Sequence, residues 1–565
     1  MEHIKPLKVV LCWHMHQPQY LDLISNEFQL PWVYLHAIKD YVDMAAHLES
    51  IPQAKAVINF SPVLLEQLDE YERQISGCLK GTDPIRDMLL ATLDSPVFPA
   101  DNEHRAAIIK ACLRSNKKHQ IGRFPPYQKL VSMAEPLSHD LSYITYLSNQ
   151  YLTDLVCWYH LAWLGATVQR SDKRVQALME QGSGFTLHQR RVLLQIIGEL
   201  IAQLRYRYAA LAERGQIELS MSPYTHPMIP LLLDFRTARE ALPDLRLPIL
   251  DAYPGGRDRA VSQLQQGLEI FAQYFGIRPV GCWPSEGGVS NAALTLIGAA
   301  GFQWVATGEN VLRNSITNNP TLNHDSSIHH AFIHPRSGLH LFARSDSLSD
   351  LIGFTYAEWH ADDAVADLIK RLTIIADSAA AADDPVVSII LDGENAWEYY
   401  PENGYYFLSA LYTRLVENPR FELSTYRDLL PARALELNDI KAGSWVFGTF
   451  STWIGNEDKN RAWDILGDTK RVYDDVMAAT DIDEHLKAKI DSQLAICEGS
   501  DWFWWFGDYN PAETVSDFER LFRLHIANLY YLLGQEPPQY LSQILSHGSG
   551  APKLGGVIRP GTPEN

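Results

Sequence analysis

The chain has 565 residues, enough for one large catalytic domain and an accessory domain rather than a series of small modules. Its 68 acidic and 48 basic residues give a formal net charge of −20, and no local basic patch offsets it, which argues against nucleic acid or an anionic membrane as a partner. The six cysteines lack the spacing of a zinc site or a disulfide framework, and no apolar run is long enough to span a membrane.

The first residues and the composition predict a cytoplasmic protein that binds a neutral ligand. Residues 1–6 are polar, and the apolar run after them is interrupted by His14 and His16, so it is too short for a signal peptide. Scattered cysteines fit a reducing compartment. The 14 Trp and 26 Tyr residues often stand beside glycines or acids, as they do where sugars stack on rings, although core packing accounts for most of them.

The first apolar segment, residues 8–13, predicts a buried strand that ends in His14-Met15-His16-Gln17-Pro18. Because side chains alternate along a strand, His14 and His16 lie on the same face. Such a pair is half of a metal site, a set of hydrogen-bonding groups for a polar ligand, or a pair of core histidines. The spacing alone leaves these three interpretations open.

The middle of the chain alternates between helical and extended patterns. Residues 56–60 predict a second strand, and residues 65–213 show almost only helical periodicity, which predicts a long helical insertion. Residues 216–220 restore a strand pattern, with Glu218 either at the mouth of a barrel or paired with an arginine. The polar and aromatic segment after this strand contains Tyr224 and His226.

Two further strand ends carry acids. Residues 276–290 contain a short strand followed by Trp283, Glu286 and glycines, and the apolar strand 386–391 runs into Asp392-Gly393-Glu394 and then Trp397-Glu398. Three carboxylates within seven residues repel one another unless a ligand, a proton or partner side chains compensate, although a solvated acidic turn would also explain them. Two carboxylates at strand ends fit sugar hydrolysis through a covalent intermediate.

The recurrence of strand, polar exit and helix predicts an α/β fold, a βα barrel of about seven strands with its site at the carboxyl ends of the strands. We predict a catalytic barrel domain at 1–405 that includes the insertion, a mainly helical domain at 406–534 and a flexible tail at 535–565. Two aromatic, glycine-rich loops interrupt the second domain, at 443–456 and 498–509. They either line the substrate cleft or pack between the two domains.

Five segments in this order resemble glycoside hydrolase family 57, in particular its α-amylase and amylopullulanase branch: His14 to Pro18, Gly215 to Leu219, Trp283 to Glu286, Asp392 to Glu394, and the loop from Trp445 to Asn456. The resemblance implies an incomplete (β/α)7 barrel with a helical domain after it. It also implies that Glu286 is the nucleophile and Asp392 the general acid/base. The substrate-binding residues that we expect are His14, His16, Glu218, Trp283, Tyr224, His226, Trp397, Trp445 and Trp453.

The expected activity is retaining hydrolysis of α-1,4 bonds, with α-1,6 bonds as an option, in α-glucans or malto-oligosaccharides. Storage glucan inside the cell is the expected substrate, because no signal peptide is predicted. The family also contains 4-α-glucanotransferases and glucan branching enzymes, and these activities stay open. So do a catalytically silent glucan-binding protein and a metal-dependent carbohydrate deacetylase, in which His14, His16 and an acid would hold the metal. No third ligand at metal spacing is identifiable, so no metal or cofactor is expected.

Overall fold

The computed structural model describes residues 5–134, 141–317, 327–379 and 384–549. Its strands are β1 Leu7–Met15, β2 Ala56–Phe60, β3 Ile217–Met221, β4 Gly281–Cys282, β5 Trp304–Gly308, β6 Phe332–His334, β7 Leu339–Arg344, β8 Val386–Asp392, β9 Phe421–Leu423 and β10 Leu435–Glu436.

Seven of these strands form a closed parallel barrel in the order β1-β2-β3-β4-β5-β7-β8. β8 pairs with β1 from Lys8↔Val386 to His14↔Asp392, and one pair between β7 and β8, Arg344↔Ser388, completes the ring. β6 is antiparallel to β7, and β9 pairs with the first residues of β1. The predicted α/β fold with a seven-stranded barrel is therefore confirmed, with a ring that is closed rather than incomplete.

The interior of the barrel is apolar at its amino-terminal end. A cluster that includes Val10 and Cys12 of β1, Trp304 of β5 and Ile390 of β8 fills this part. Because alternate residues of a strand share a face, His14 follows Val10 and Cys12 on the inner face and reaches the carboxyl end of the barrel. Apolar packing thus occupies one end of the barrel, and polar side chains gather at the other.

Helices surround the barrel and form the part of the chain that follows it. The described residues between β2 and β3 contain helices but no strand, where the sequence predicts the helical insertion. None of the helices in the described part of the chain combines the length and the apolarity of a membrane span. The helices are α1 Trp32–His36, α2 Val42–Ser50, α3 Pro62–Lys80, α4 Met88–Asp94, α5 Asn102–Cys112, α6 Pro125–Ala134, α7 Asn149–Trp163, α8 Ala166–Ser171, α9 Lys173–Gln181, α10 Leu187–Glu213, α11 Ile229–Leu233, α12 Ala238–Ala241, α13 Gly256–Phe275, α14 Asn291–Ala299, α15 Glu309–Ile316, α16 Asp346–Asp350, α17 Ala361–Ser378, α18 Tyr405–Glu417, α19 Tyr426–Leu429, α20 Glu457–Ala479, α21 Glu484–Cys497, α22 Ser500–Trp505 and α23 Ala512–Leu532.

The first part of the predicted flexible tail is packed against the protein. Leu541 and Leu545 are buried. The Ser546 hydroxyl donates to Asp458 and accepts a hydrogen bond from the backbone N–H of Gly507. Buried apolar side chains thus occur in a segment whose Gly, Pro and Ser content is typical of disorder. Residues 550–565 lie outside the described residues.

Candidate active site

A cavity opens at the carboxyl ends of the barrel strands and encloses about 1140 Å³, including its open mouth. Both predicted catalytic acids, Glu286 and Asp392, line it together with His14, His16 and His226. The remaining wall comes from the segments that follow β1 and β8, from the helical insertion, and from the loops and helices after the barrel. Its other residues are Gln17, Pro18, Tyr20, Trp32, His36, Arg114, Trp163, Asn395, Trp445, Asp501, Trp504, Trp505, Glu513, Thr514 and Phe518.

Asp392 is the last residue of β8 and lies beside His14 of β1 in the strand register. The side-chain amide of Asn395 donates to Asp392 Oδ2 at 2.8 Å. His14 Nδ1 lies 2.7 Å from Asn59 Oδ1, so this ring nitrogen carries the proton and donates. His14 Nε2 is then a bare acceptor, buried and without a hydrogen-bond partner among the described residues. Burial lowers the pKa of His14 to about 3, and its imidazole is therefore neutral near pH 7.

Glu286 lies in a tight 3-10 turn, Ser285–Gly287, directly after β4. Its backbone is in the left-handed region, with φ 58° and ψ 25°, which costs free energy in a residue other than glycine and is common at functional sites. The turn is held by a hydrogen bond of 3.0 Å from the Trp445 backbone N–H to the Glu286 carbonyl oxygen. The loop that contains Trp445, which follows the barrel in the sequence, thus helps to fix the backbone conformation of Glu286.

Two side-chain donors bind the carboxyl group of Glu286. The indole N–H of Trp445 donates to Oε2 at 3.0 Å, and the Ser500 hydroxyl donates to Oε1 at 3.3 Å. The Arg344 guanidinium lies over the Trp445 ring, 5.2 Å from its centre, in a cation–π contact that helps to hold the indole. These donors stabilise the ionised form of Glu286, as an attacking carboxylate requires.

The two acids share an environment that opposes the ionisation of both. Burial raises the pKa of Glu286 well above its usual value, and the charges of Asp501 and Asp392 raise it further. Burial raises the pKa of Asp392 to about 6, although the hydrogen bond from Asn395 and the charges of His16 and Arg344 oppose this shift. Each acid thus disfavours the ionisation of its neighbours, and the protons of the group are coupled.

The second acid of the β8 exit, Glu394, accepts hydrogen bonds from several donors and does not line the cavity. Its Oε1 accepts hydrogen bonds from the His16 backbone N–H at 3.1 Å, from Gln17 at 3.0 Å and from the Tyr41 hydroxyl at 3.3 Å. Burial and the charge of Asp392 nevertheless raise its pKa well above the usual value. Backbone and side-chain donors from the region after β1 thus supply part of the predicted compensation, whereas Oε2 of Glu394 is buried without a partner among the described residues.

Two histidines and an aspartate form a compact cluster beside Glu286. His16 Nε2 lies 2.9 Å from Asp501 Oδ1, and the rings of His16 and His226 are stacked with their centres 4.0 Å apart. His226 Nδ1 lies 3.0 Å from the Ser500 hydroxyl, whereas its Nε2 is buried with no partner in the described part of the chain. His16, His226 and Asp501 are close enough to hold a metal ion, a third ligand that sequence spacing did not reveal.

Glu218 does not line the cavity, although it was expected to bind the substrate. It pairs with Val57 in the strand register, two residue pairs before the pair of Asn59 and Ser220, and so lies deeper in the barrel than His14. Its carboxylate accepts hydrogen bonds from the Trp304 indole at 2.7 Å and from the Arg427 backbone N–H at 2.8 Å. The structure therefore gives Glu218 internal partners.

Four further residues that were expected to bind the substrate, Trp283, Tyr224, Trp397 and Trp453, are buried behind the cavity wall. The Tyr224 hydroxyl donates to Glu66 at 2.7 Å, and the Trp397 indole donates to the carbonyl oxygen of Gly393 at 2.9 Å, next to Asp392. Trp283 packs edge-on against Trp445, with ring centres 5.4 Å apart, and Trp453 packs against Trp504 at 5.6 Å. These rings support the residues that form the wall.

Several wall residues were not identified individually from the sequence. Trp32 and Trp163 lie on α1 and α7, and Arg114 follows α5 with its guanidinium 5.3 Å from the centre of the Trp32 ring. Nothing in the local pattern separates Trp163 from the other apolar residues of its helix. Asp501, Trp504 and Trp505 belong to the aromatic loop 498–509, whose composition did suggest a place in the cleft.

The chain belongs to glycosyl hydrolase family 57, because the model of that family matches residues 10–438. No curated protein sequence matches it.

Three solved structures show the same fold over nearly the whole chain. One is a family 57 branching enzyme from Pyrococcus horikoshii, with 16% identity, a TM-score of 0.58 and coverage of 95% of this chain and 93% of that one. Another is a branching enzyme from Thermococcus kodakaraensis in complex with glucose, with 14% identity, a TM-score of 0.56 and coverage of 99% and 97%. An α-amylase from Thermotoga maritima has 12% identity, a TM-score of 0.55 and coverage of 95% and 96%.

Proposed function

We propose that this protein is a retaining glycoside hydrolase of the α-amylase and amylopullulanase type, which cleaves α-1,4 and also α-1,6 glucosidic bonds of α-glucans. The observation that carries the proposal is the position of Glu286 and Asp392, which line one cavity from the carboxyl ends of β4 and β8. Two carboxyl groups that meet at one bond are what double displacement at a sugar carbon requires.

In the proposed reaction Glu286 attacks the anomeric carbon and forms a covalent glycosyl-enzyme. Asp392 gives its proton to the departing glycosidic oxygen and then removes a proton from the incoming water, which releases the sugar from Glu286. The positive charge that develops on the sugar in the transition state favours the ionised form of Glu286, against the burial that raises its pKa.

Neutral imidazoles and an indole would orient the reacting sugar. Burial and the charges of His16 and His14 lower the pKa of His226 well below its usual value, so His226 is uncharged, as is His14. The Nε2 atoms of His14 and His226 are buried acceptors without partners among the described residues, and sugar hydroxyls are suitable donors to them. Trp445 offers its half-buried ring beside Glu286.

Transfer of the glycosyl group to another glucan, as in a 4-α-glucanotransferase or branching enzyme, is the second candidate. It is favoured by the rings that line the cavity: Trp32 of α1, Trp163 of the insertion, and Trp504, Trp505 and Phe518 of the C-terminal helices. Rings that stack on an acceptor sugar also displace the water that would otherwise react with the glycosyl-enzyme. Hydrolysis and transfer would then differ only in whether water or a glucan hydroxyl reacts with the glycosyl group bound to Glu286.

Product analysis on amylose, pullulan and glycogen tests the proposal. Chromatography together with an assay of reducing ends is expected to show short malto-oligosaccharides and a rise in reducing ends. New α-1,6 branches, or longer and shorter linear chains, without this rise would identify a transferase. The proposal fails if none of the glucans changes, and it fails in favour of a deacetylase if acetate is released from an acetylated polysaccharide instead.

Replacing Trp445 by alanine is expected to weaken glucan binding more than it lowers thermal stability. The change removes a ring from the cavity wall and a hydrogen bond of 3.0 Å to Glu286, and bonds to charged groups contribute about 1.5–3 kcal/mol. We therefore expect kcat/KM to fall roughly 10- to 100-fold with a small change in Tm. Kinetics and calorimetry on the purified variant measure both quantities.

Trp453→Ala is the matched control, because Trp453 belongs to the same loop but is fully buried. It should lower the free energy of unfolding by about 3–5 kcal/mol, as truncation of large core side chains does, with little effect on the affinity of the folded fraction. If Trp445→Ala instead lowers Tm strongly and leaves the affinity unchanged, the loop only packs between the two parts of the protein.

A further inference from the structure

The cluster of His16, His226 and Asp501 carries an inference that goes beyond the proposed reaction. Each residue offers one ligand atom, and these atoms lie within 4.8 Å of one another. We propose that a divalent transition-metal ion of the Zn²⁺ type binds these three side chains and inhibits the enzyme by occupying the place of the reacting sugar.

The hydrogen bonds of His226 leave one of its nitrogens available as a ligand. The Ser500 hydroxyl donates to Glu286 and therefore accepts from His226 Nδ1, which places the ring proton on Nδ1. The Nε2 lone pair is then bare, buried and without a partner among the described residues, and a neutral imidazole with one bare nitrogen is the form that binds metals. The hydrogen bond from Nδ1–H of His226 to the Ser500 oxygen would also fix the orientation of the ring, as such bonds do in histidines that bind metals.

His16 has a comparable arrangement. Its Nδ1 lies 2.7 Å from the Ser61 hydroxyl, which can accept a hydrogen bond from that nitrogen, and its Nε2 faces the Asp501 carboxylate at 2.9 Å. Metal binding requires the tautomer of His16 that carries its proton on Nδ1 and donates it to the Ser61 hydroxyl, so that Nε2 and the Asp501 carboxylate both bind the ion. Ser61 and Ser500 thus have the same supporting role on the two rings.

The ligand atoms are close together, but the ion needs a rotation of one ring, because the rings of His16 and His226 are stacked with their centres 4.0 Å apart. Zinc bonds of about 2.0–2.2 Å in a tetrahedron separate neighbouring ligand atoms by roughly 3.3–3.5 Å. His16 Nε2 and Asp501 Oδ1 are already closer than this, and the other pairs lie within 4.8 Å. All three residues line the cavity, so a water molecule from the cavity would fill the fourth position.

The chemistry of the three ligands defines the class of ion. Two imidazole nitrogens and one carboxylate suit Zn²⁺, Cu²⁺ or Ni²⁺, whereas Mg²⁺ and Ca²⁺ prefer sites made only of oxygen atoms. Asp501 supplies one negative charge, and Glu286 Oε1 lies 3.8 Å from His226 Nδ1, which adds to the attraction for a cation. The inhibitory effect rests on the proposed function of Glu286, but the binding of the ion does not.

The test measures Zn²⁺ binding to the metal-free full-length protein by calorimetry at pH 7.5, without substrate. We expect one site per chain, no comparable heat with Mg²⁺, and a Kd raised at least about tenfold in both Asp501→Asn and His226→Gln. The matched control is His104→Asn, since His104 and Asp101 form an exposed pair at 2.7 Å on the surface and the variant should bind Zn²⁺ normally. Near-ultraviolet circular dichroism checks the folding of each variant.

Inhibition is measured separately. Zn²⁺ should raise KM for amylose, and malto-oligosaccharide should weaken Zn²⁺ binding, because both occupy one cavity. Absence of a stoichiometric site, or unchanged binding in both folded variants, would refute the metal site whatever the activity of the enzyme. Activity that is lost after dialysis against a chelator and restored by Zn²⁺ would refute inhibition, because the ion would then be a cofactor.

Discussion

Glu286→Gln is expected to lose nearly all turnover, by about four orders of magnitude or more, while it still binds malto-oligosaccharides. The amide has almost the shape of the carboxylate but is a poor nucleophile. Its oxygen can still accept from the Trp445 indole, and its NH2 group can donate to the Ser500 hydroxyl, so both contacts to Glu286 survive. Steady-state kinetics on amylose and calorimetric titration with a malto-oligosaccharide measure the two effects.

Glu218→Gln is the matched control, because it makes the same chemical change deeper in the barrel. Glu218 accepts from Trp304 and from the Arg427 backbone, so its loss of charge should lower stability by about 1–3 kcal/mol and change kcat by less than roughly tenfold. If Glu218→Gln abolishes turnover as Glu286→Gln does, Glu218 takes part in the reaction and its internal position has been misjudged.

Asp392→Asn is expected to slow natural glucans by about 10²–10⁴-fold in kcat/KM and activated aryl glycosides far less. A glucan leaving group needs a proton from Asp392, whereas a good aryl leaving group departs without one. Since kcat/KM reports the steps up to glycosyl-enzyme formation, the later role of Asp392 as a base does not affect the comparison. Kinetics on amylose and on a nitrophenyl maltoside measure the two values.

Asp392→Asn should also change the pH dependence of kcat/KM. Asp392 acts in its protonated form, and burial raises its pKa to about 6, so kcat/KM of the wild type should fall as the pH rises through about 6. This alkaline limb should be absent in Asp392→Asn.

If Glu286→Gln spares aryl glycosides and Asp392→Asn abolishes all turnover, the two acids have the opposite roles.

The barrel and its two acids could be predicted from the sequence because their signals are local. Each strand is a short apolar run, and parallel strands place their carboxyl ends together, so His14, Glu286 and Asp392 at such ends were expected to meet. Their common cavity agrees with this expectation. The closed ring depends on one residue pair, Arg344↔Ser388, which no local pattern reveals.

Depth in the barrel and long-range packing could not be predicted in this way. Alternation places Glu218 on the inner face, but only the register with Val57 shows that it lies below the layer of His14. Trp445 and Trp453 look alike in one aromatic loop, yet one lines the cavity and the other is fully buried. Which ring faces a ligand depends on the helices that cover the loop, and these come from distant parts of the chain.

The cluster of His16, His226 and Asp501 also depends on long-range packing that could not be predicted from the sequence. His16 and His226 come from different strand ends, and Asp501 lies in the first turn of a helix that follows the barrel, so no spacing connects them. Sequence spacing therefore could not reveal the aspartate as a third ligand. Only the packing of α22 onto the barrel mouth brings Asp501 to His16.

The stereochemistry of the first product tests the proposed mechanism most directly. NMR spectra recorded during the first minutes of hydrolysis of a malto-oligosaccharide, before mutarotation, show which anomer the enzyme releases. Because two displacements at one carbon restore the configuration, we expect the α-anomer to appear first. A β-anomer that appears first would mean a single displacement by water and would contradict the role of Glu286 as the nucleophile.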